Sequence, residues 1–352
     1  MPVKLRWNDY SLTSEQGDVA AMLGEFFRDL APLDIVRAAE PLGYDDNLWT
    51  RAIGAGTPRL ALPESVGGDG AGLIELVLAA AEVGRTLAPV PLVDAASATR
   101  LLAAAAPDHP DLPAAVEGSL VCSLAPLSGR RSGPQLTPSG AVAGRVLLLV
   151  DGELVLLSRD VPPPHTANQG CAPLAWWDPA DSDTGSEVLA TGARARALWE
   201  HALGEWQIVT AAALAGLADE AGRLTRAYTM QRYSFGVPIA SYQAVSHTLV
   251  DLHMAARATR NLVLKAAWYS DNEPATRPEL PAMALADASR TALRTTERAV
   301  HLHGGFGITL EADISLYHRR AAVWAQIGGG SAVHLETIAA AVDRLVDAAL
   351  AE

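Results

Sequence analysis

The sequence predicts an α+β protein: a helical N-terminal domain, a small middle β domain and a C-terminal four-helix bundle. Three observations predict it. Apolar residues recur at helical spacing on both sides of a central stretch. That stretch is rich instead in proline, glycine and short Val/Leu runs. At 352 residues the chain also exceeds one ordinary domain. The shifts of composition place the boundaries at 1–118, 119–191 and 192–352.

Residues from Leu12 to about Ala105 read as helical. Ser14, Glu15 and Gln16 open a segment whose apolar positions Val19, Met22, Leu23 and Phe26 share a helical face. Asp45, Asp46 and Asn47 precede a second helix through Leu48 and Trp49. The glycines of Pro63–Gly72 set a loop. Ile74–Leu87 returns to helix, and Ala88–Pro91 ends it. In the middle, Arg145–Leu157 places Asp151-Gly152 between two apolar runs, a β-hairpin signal because both turn residues must tolerate positive φ. Pro162–Gly170 is a loop. From Gly192 a long helix runs through Trp206, Leu214, Leu217 and Leu224 to about Tyr233. Others follow over Tyr242–Tyr269, Pro281–His303 and Ala332–Ala349, with Pro238 and Gly304-Gly305 as breaks.

Hydrophobic residues make up 49% and charged ones 19%, enough apolar content for a sizeable core and unlike a disordered chain. A net charge of -13 excludes a general nucleic-acid binder, which needs concentrated basic charge to follow phosphates. Cys122 and Cys171 lack metal-ligand spacing and read as reduced thiols. The first ten residues carry no apolar signal core, and no run reaches the length of a membrane span. These readings lead to the expectation of a soluble, cytoplasmic protein.

Two stretches carry the chemistry. The first is Arg232-Tyr-Ser-Phe235-Gly236-Val-Pro238-Ile239, then Tyr242-Gln243 and Ser246-His247. The second is Ala299-Val-His301-Leu-His303-Gly304-Gly305-Phe306-Gly307, with Glu311 beyond. An Arg at a helix end offers a planar fork of donors suited to pyrophosphate oxygens. Gln243 brings an amide that donates and accepts. Gly304 and Gly305 let a ligand approach the backbone closely. Taken singly, each stretch also reads as a helix C-cap with a surface arginine.

Together, and in this order, the two stretches resemble the acyl-CoA dehydrogenase family. There the first motif runs Arg, two residues, Phe-Gly, then Phe-Gln, and the second runs Gln, two residues, Gly-Gly-x-Gly. The PESVGGDG segment from Pro63 and the α–β–α order extend the resemblance over nearly the whole chain. The resemblance implies α,β-dehydrogenation of an acyl-CoA with FAD. It also implies that Arg232, Phe235, Gln243, Gly304 and Gly305 reach across a subunit interface to the pyrophosphate and adenosine of an FAD held mainly by a neighbour. His301 stands where the family has Gln.

The family's own-subunit elements are missing. Its β domain carries a Thr-Glu-Pro…Gly-Ser-Asp loop and a Trp-Ile-Thr-Asn strand; here the region reads SLAPLSGRRSG from Ser123 to Gly133, and no such strand follows. Trp176-Trp177 is no substitute and reads as a pair packing on the sheet. Removing the α-proton needs a positioned base, a Glu at one of two family positions. By alignment those positions are Gly329 and Trp206, and neither side chain can take a proton. Glu205 is the nearest carboxylate, rotated ~100° away on the same helix, and reads either as a displaced base or as a salt-bridged helix residue. The family's Arg-Asp pair reads Arg319-Arg320.

The pattern implies a subunit without a base of its own that completes the FAD site of a homologous catalytic partner, as an α2β2 complex, on a substrate such as a steroid side-chain CoA ester. Two alternatives stay open: a self-sufficient homo-oligomer using Glu205, and a purely structural subunit. His247 and His253, or His301 and His303, lack metal-site spacing, so no metal is expected. Ser331 after three glycines has neither a preceding strand nor a following Lys, which leaves no phosphate loop. Arg130-Arg131 reads as a solvated loop or a contact for a CoA phosphate.

Overall fold

The computed structural model describes residues 10–130, 133–274 and 276–351. Its N-terminal part holds α1 (Ser14–Leu30), α2 (Leu33–Ala38), α3 (Asp46–Gly54), α4 (Leu73–Thr86), α5 (Leu92–Ala105) and α6 (Leu112–Glu117). Thr13 and Gln16 form a reciprocal capping box at the start of α1, and Asp45 caps α3 through the Leu48 amide. Six strands follow: β1 (Cys122–Leu124), β2 (Gln135–Thr137), β3 (Arg145–Val150), β4 (Glu153–Ser158), β5 (Ala175–Trp177) and β6 (Gly185–Thr191). They pair as a four-stranded sheet ordered β1-β3-β4-β6 and a two-stranded β2-β5 ribbon.

The hairpin is β3-β4. Its turn residues, Asp151 and Gly152, both sit at positive φ (49° and 83°). The unbroken apolar run of β3 has a simple cause. Val146 and Leu148 face a core shared with Phe27, Leu48 and Trp49, while Leu147 faces the core of the helical bundle. A strand covered on both sides has no solvent face on which to alternate. Trp177 is buried and donates to the Gly140 carbonyl, whereas Trp176 is half exposed, so only one of the pair packs inside.

The C-terminal part has the four expected helices and adds a fifth. Five occur among the described residues: α7 (Gly192–Gln231), α8 (Gln243–Asn272), α9 (Leu280–His303), α10 (Asp313–Trp324) and α11 (Gly330–Ala351). The unforeseen α10 buries Ile314, Leu316, Tyr317 and Ala321, a short apolar face placed directly after the glycine-rich segment. Arg319 and Arg320 extend from α10 to the Glu40 carboxylate, and Arg320 also donates to the Gly170 carbonyl. They staple the helix to the 165–172 loop and the N-terminal domain.

Helix α7 forms the axis of the molecule, and α4 crosses it at touching distance. A methyl added at Gly84 would overlap the Ala213 carbonyl, and one added at Gly216 would overlap the Ala81 carbonyl. That reciprocal crossing explains the small residues along both helices. Between α7 and α8 a hairpin, β7 (Tyr233–Ser234) and β8 (Val237–Pro238), turns on Phe235 and Gly236. Cys122 and Cys171 are free and buried. No helix among the described residues is long and apolar enough to cross a membrane, and no group of His, Cys, Asp or Glu among them could hold a metal.

Candidate functional site

The two motif stretches meet at one end of the bundle. Tyr228, near the end of α7, stacks on His303 at the end of α9 with ring centroids 4.2 Å apart, and its hydroxyl donates to the His303 carbonyl at 3.4 Å. Arg232 caps α7 one turn beyond Tyr228, at the same end of the bundle as the Gly304-Gly305 break. Arg232, Phe235, Gln243, His301, Gly304 and Gly305 are all exposed. The Arg232 guanidinium has no hydrogen bond or ion pair among the described residues. A Cβ built at Gly236, Gly304 or Gly305 would meet no atom within 4 Å, so the backbone there is open to close approach. Phe235 is 98% exposed and held at φ 51° in the two-residue turn. An aromatic residue is costly in that conformation, where Asn, Asp or Gly is usual. Tyr233, Phe306, Ile308 and Leu310 are also exposed around this end, an apolar patch of the kind that marks an interaction surface.

The interior positions look different. Trp206 is 1% exposed, and its indole N–H donates to Asp94 Oδ1 at 2.9 Å. The other Asp94 oxygen accepts from the Ser139 hydroxyl at 2.6 Å. Burial raises the Asp94 pKa, and these two hydrogen bonds only partly oppose the rise. Gly329 sits at φ 102°, where a Cβ would lie 2.5 Å from Val333 and 3.1 Å from Leu127, so this loop has no room for a glutamate.

Glu205 is buried and committed. It accepts two hydrogen bonds from the Arg100 guanidinium, at 2.9 and 2.6 Å, and lies 3.4 Å from His201 Nε2. Arg100 also donates to the Ala61 carbonyl. Burial alone would raise the Glu205 pKa; hydrogen bonds from His201 and Arg100, and the Arg100 charge, hold it down to about 2. A general base needs a pKa nearer the working pH and a free lone pair. Here both oxygens are engaged, as in the salt-bridged reading of Glu205.

Two spaces adjoin these residues. One is a pocket of 80 Å³ between α4, α5, α7 and α10, lined by Val83, Leu87, Val93, Asp94, Ser139, Leu174, Trp206, Trp324 and Ile327 among others. The other is a cleft of 570 Å³ between the first half of α7, the end of α8 and the start of α11, lined by Arg130, His201, Glu205, Trp206, Arg277 and Gly328 among others. An apolar cavity of ~150 Å³ is what it takes to hold a benzene ring. The first space is about half that. Exposed Arg232, Gln243 and the open glycines do fit the phosphates and edge of a nucleotide laid on the surface.

The remaining candidates stay apart. His247, His253, Glu311 and Ser331 are exposed and His303 is buried, its Nδ1 2.8 Å from the Ala299 carbonyl. Arg130 pairs with Glu336 and Thr337, and Arg131 lies outside the described residues. Asp94, Ser139 and Arg100 were not anticipated. One signal was present: a lone arginine in the Ala- and Leu-rich α5 must find an acceptor.

Comparison with known proteins bears on this geometry. Residues 197–342 match the family model described as acyl-CoA dehydrogenase, C-terminal domain. Acyl-CoA dehydrogenase IpdE2 of Mycobacterium tuberculosis is 31% identical over 306 residues, covering 83% of this chain and 86% of that protein. The chain belongs to the acyl-CoA dehydrogenase family. Acyl-CoA dehydrogenase FadE27 of the same organism is 27% identical over 315 residues, 78% of this chain and 82% of that one. Among solved structures, a variant of the Tcur3481-Tcur3483 steroid ACAD superposes with a TM-score of 0.84 at 25% identity, over 95% of this chain and 99% of that one. The ChsE4-ChsE5 complex from Mycobacterium tuberculosis gives 0.82 at 23% identity, over 96% and 99%, which shows the shared fold.

Proposed function

We propose that this chain is the non-catalytic subunit of an FAD-dependent acyl-CoA dehydrogenase and that it completes the FAD site of a homologous catalytic partner. One observation carries the reading. The set Arg232, Phe235, Gln243, His301, Gly304 and Gly305 stands exposed, and the Arg232 guanidinium has no partner among the described residues; the two positions that the alignment assigns to the family base hold Trp206 and Gly329. When bound, FAD accepts the hydride from the substrate's β-carbon. This chain's part is to grip the pyrophosphate and adenosine half with Arg232 and Gln243, against the open backbone at Gly304-Gly305. The partner supplies the base, most of the acyl pocket and the ring site. The likeness to a named steroid ACAD supports a bulky polycyclic CoA thioester as substrate, and the complex is expected to be α2β2. The ion-paired state of Glu205 disfavours the self-sufficient alternative.

The test is flavin content and acyl-CoA oxidation, for this chain alone and co-expressed with a homologous dehydrogenase subunit. Yellow, active protein only from co-expression is the expected result, with flavin lost on Arg232→Ala. A flavin-loaded, active homo-oligomer overturns the reading. Unchanged flavin in an Arg232→Ala complex would leave a purely structural subunit.

A further inference from the structure

We infer that His303 is a further contact for the dinucleotide: its Nε2 lone pair accepts a hydrogen bond from an N–H or O–H donor on the adenosine half. This role rests on the proposed FAD site, and the two can fail separately.

The hydrogen bonds fix which nitrogen carries the proton. Nδ1 lies 2.8 Å from the Ala299 carbonyl oxygen, which can only accept, so Nδ1 is the N–H donor. In a neutral imidazole the other nitrogen is then an acceptor. Burial favours the neutral ring and lowers the His303 pKa below its ordinary 6.5. Nε2 has no partner among the described residues, yet it is not closed off from solvent. The residue is only 9% exposed, so a bare acceptor is part of the little that it shows.

The ring is held in place by Tyr228, which stacks on it and donates to the His303 carbonyl. The Tyr228 carbonyl in turn accepts the Arg232 backbone N–H at 2.8 Å. One residue thus ties the phosphate-binding arginine and the imidazole together. Gly304 follows His303 directly at φ 66°, and a Cβ there would meet nothing within 4 Å, so the backbone beside the ring is open. A phenyl ring could make the same stack without desolvating two nitrogens, and packing alone does not account for the imidazole. Nε2 cannot pair with pyrophosphate oxygens, which are acceptors too; Arg232 serves those. The donors of the adenosine half are its ribose hydroxyls and the adenine amine, and either supplies what Nε2 needs.

The test is FAD titration of the deflavinated, co-expressed complex, read by flavin fluorescence, beside three FAD analogues. Purine in place of adenine removes the amine, and 2′-deoxyribose and 3′-deoxyribose remove one hydroxyl each. In wild type, losing the donor that His303 reads should weaken half-saturation ~fivefold, the worth of one hydrogen bond. His303→Phe, which keeps the stack, should bind FAD ~fivefold more weakly. It should also no longer distinguish that analogue from FAD, the sign of a shared contact. His303→Gln, whose amide oxygen can accept in place of Nε2, should recover part of both. The analogue that loses its penalty names the source, amine or hydroxyl. Equal FAD binding by wild type and His303→Phe overturns the inference, and so do analogue penalties that the variant leaves unchanged. Where His303→Phe does not assemble, His303→Leu takes its place under the same criteria. Arg232→Ala in the same titration reports on the flavin site itself. Unchanged affinity there overturns the flavin reading and this contact with it. A weakened Arg232→Ala beside an unaffected His303→Phe overturns the contact alone.

Discussion

Replacing Glu205 with Gln separates a structural anion from a displaced base. Glu205 is buried, held by two Arg100 donors and adjacent to His201, and its pKa falls from an ordinary 4.5 to about 2. A tenfold change in proton affinity is worth ~1.4 kcal/mol, so ionised Glu205 contributes roughly 3 kcal/mol. Removing one partner of a buried pair costs a similar ~3–5 kcal/mol, because the other charge is left uncompensated. Because the folded pKa lies below the unfolded one, that contribution is full above pH 4.5 and disappears as pH falls toward 2. At pH 7 the variant therefore loses it all. An unfolding entropy of ~2.1 cal/mol/K per residue makes that loss a fall in Tm of roughly 4 °C over this chain. The assays are a thermal melt and, in the co-expressed complex, bleaching of the flavin by acyl-CoA under anaerobic conditions. A lower Tm with an unchanged bleaching rate is expected. Deleting a general base would instead slow bleaching by ~10²–10⁴-fold, and such a loss in a folded variant would refute the structural assignment.

Three further outcomes follow from the geometry. His334 is buried with neither ring nitrogen partnered among the described residues, and burial, aided by the Arg130 charge, lowers its pKa from 6.5 to about 4. The unfolded chain then binds the proton more readily, so stability falls as pH drops below 6.5, by roughly 2 kcal/mol at pH 5; denaturant melts should show this slope reduced in His334→Leu. Phe235→Gly relieves a left-handed φ and removes a side chain without contacts to lose, so the free chain should melt no lower, while flavin retention by the complex, read from the 450 nm absorbance, should drop. Gly216→Ala drives a methyl into the Ala81 carbonyl at the α4–α7 crossing, and overpacking of this kind costs ~1–3 kcal/mol or more; urea titration should find the midpoint lowered.

The parts legible in the sequence were those set by local rules. Asp151-Gly152 announces its hairpin because both φ angles must be positive, and the structure has them so. The long α7 follows from an uninterrupted apolar period, and its end at Gln231 rather than Tyr233 is the usual fraying of such boundaries. The opposite case is α10. Twelve residues with a short apolar face, capped by no side chain, give too little periodicity to stand out after a glycine-rich break. The interior hydrogen bonds were hidden for another reason. Asp94 and Trp206 lie 112 residues apart, and Arg100 and Glu205 lie 105 apart, so only the folded crossing of α5 over α7 pairs them.

That crossing has a consequence for chemistry. Asp94 and Glu205 both lie where α5 crosses α7, the first held by the indole of Trp206 and by Ser139, the second by Arg100 and His201. Asp271, a third carboxylate nearby, accepts the Leu73 amide at the start of α4 with both oxygens. These three carboxylates are thus spent on joining segments, and an oxygen so engaged is poorly placed to receive a substrate's α-proton. The exposed end behaves in the reverse way: the Arg232 guanidinium has no partner among the described residues, and Phe235 stands uncovered at positive φ, a cost in backbone energy that the isolated chain does not recover. Commitment inside and open groups at the surface are what the proposed role, a subunit that completes a partner's site, leads one to expect.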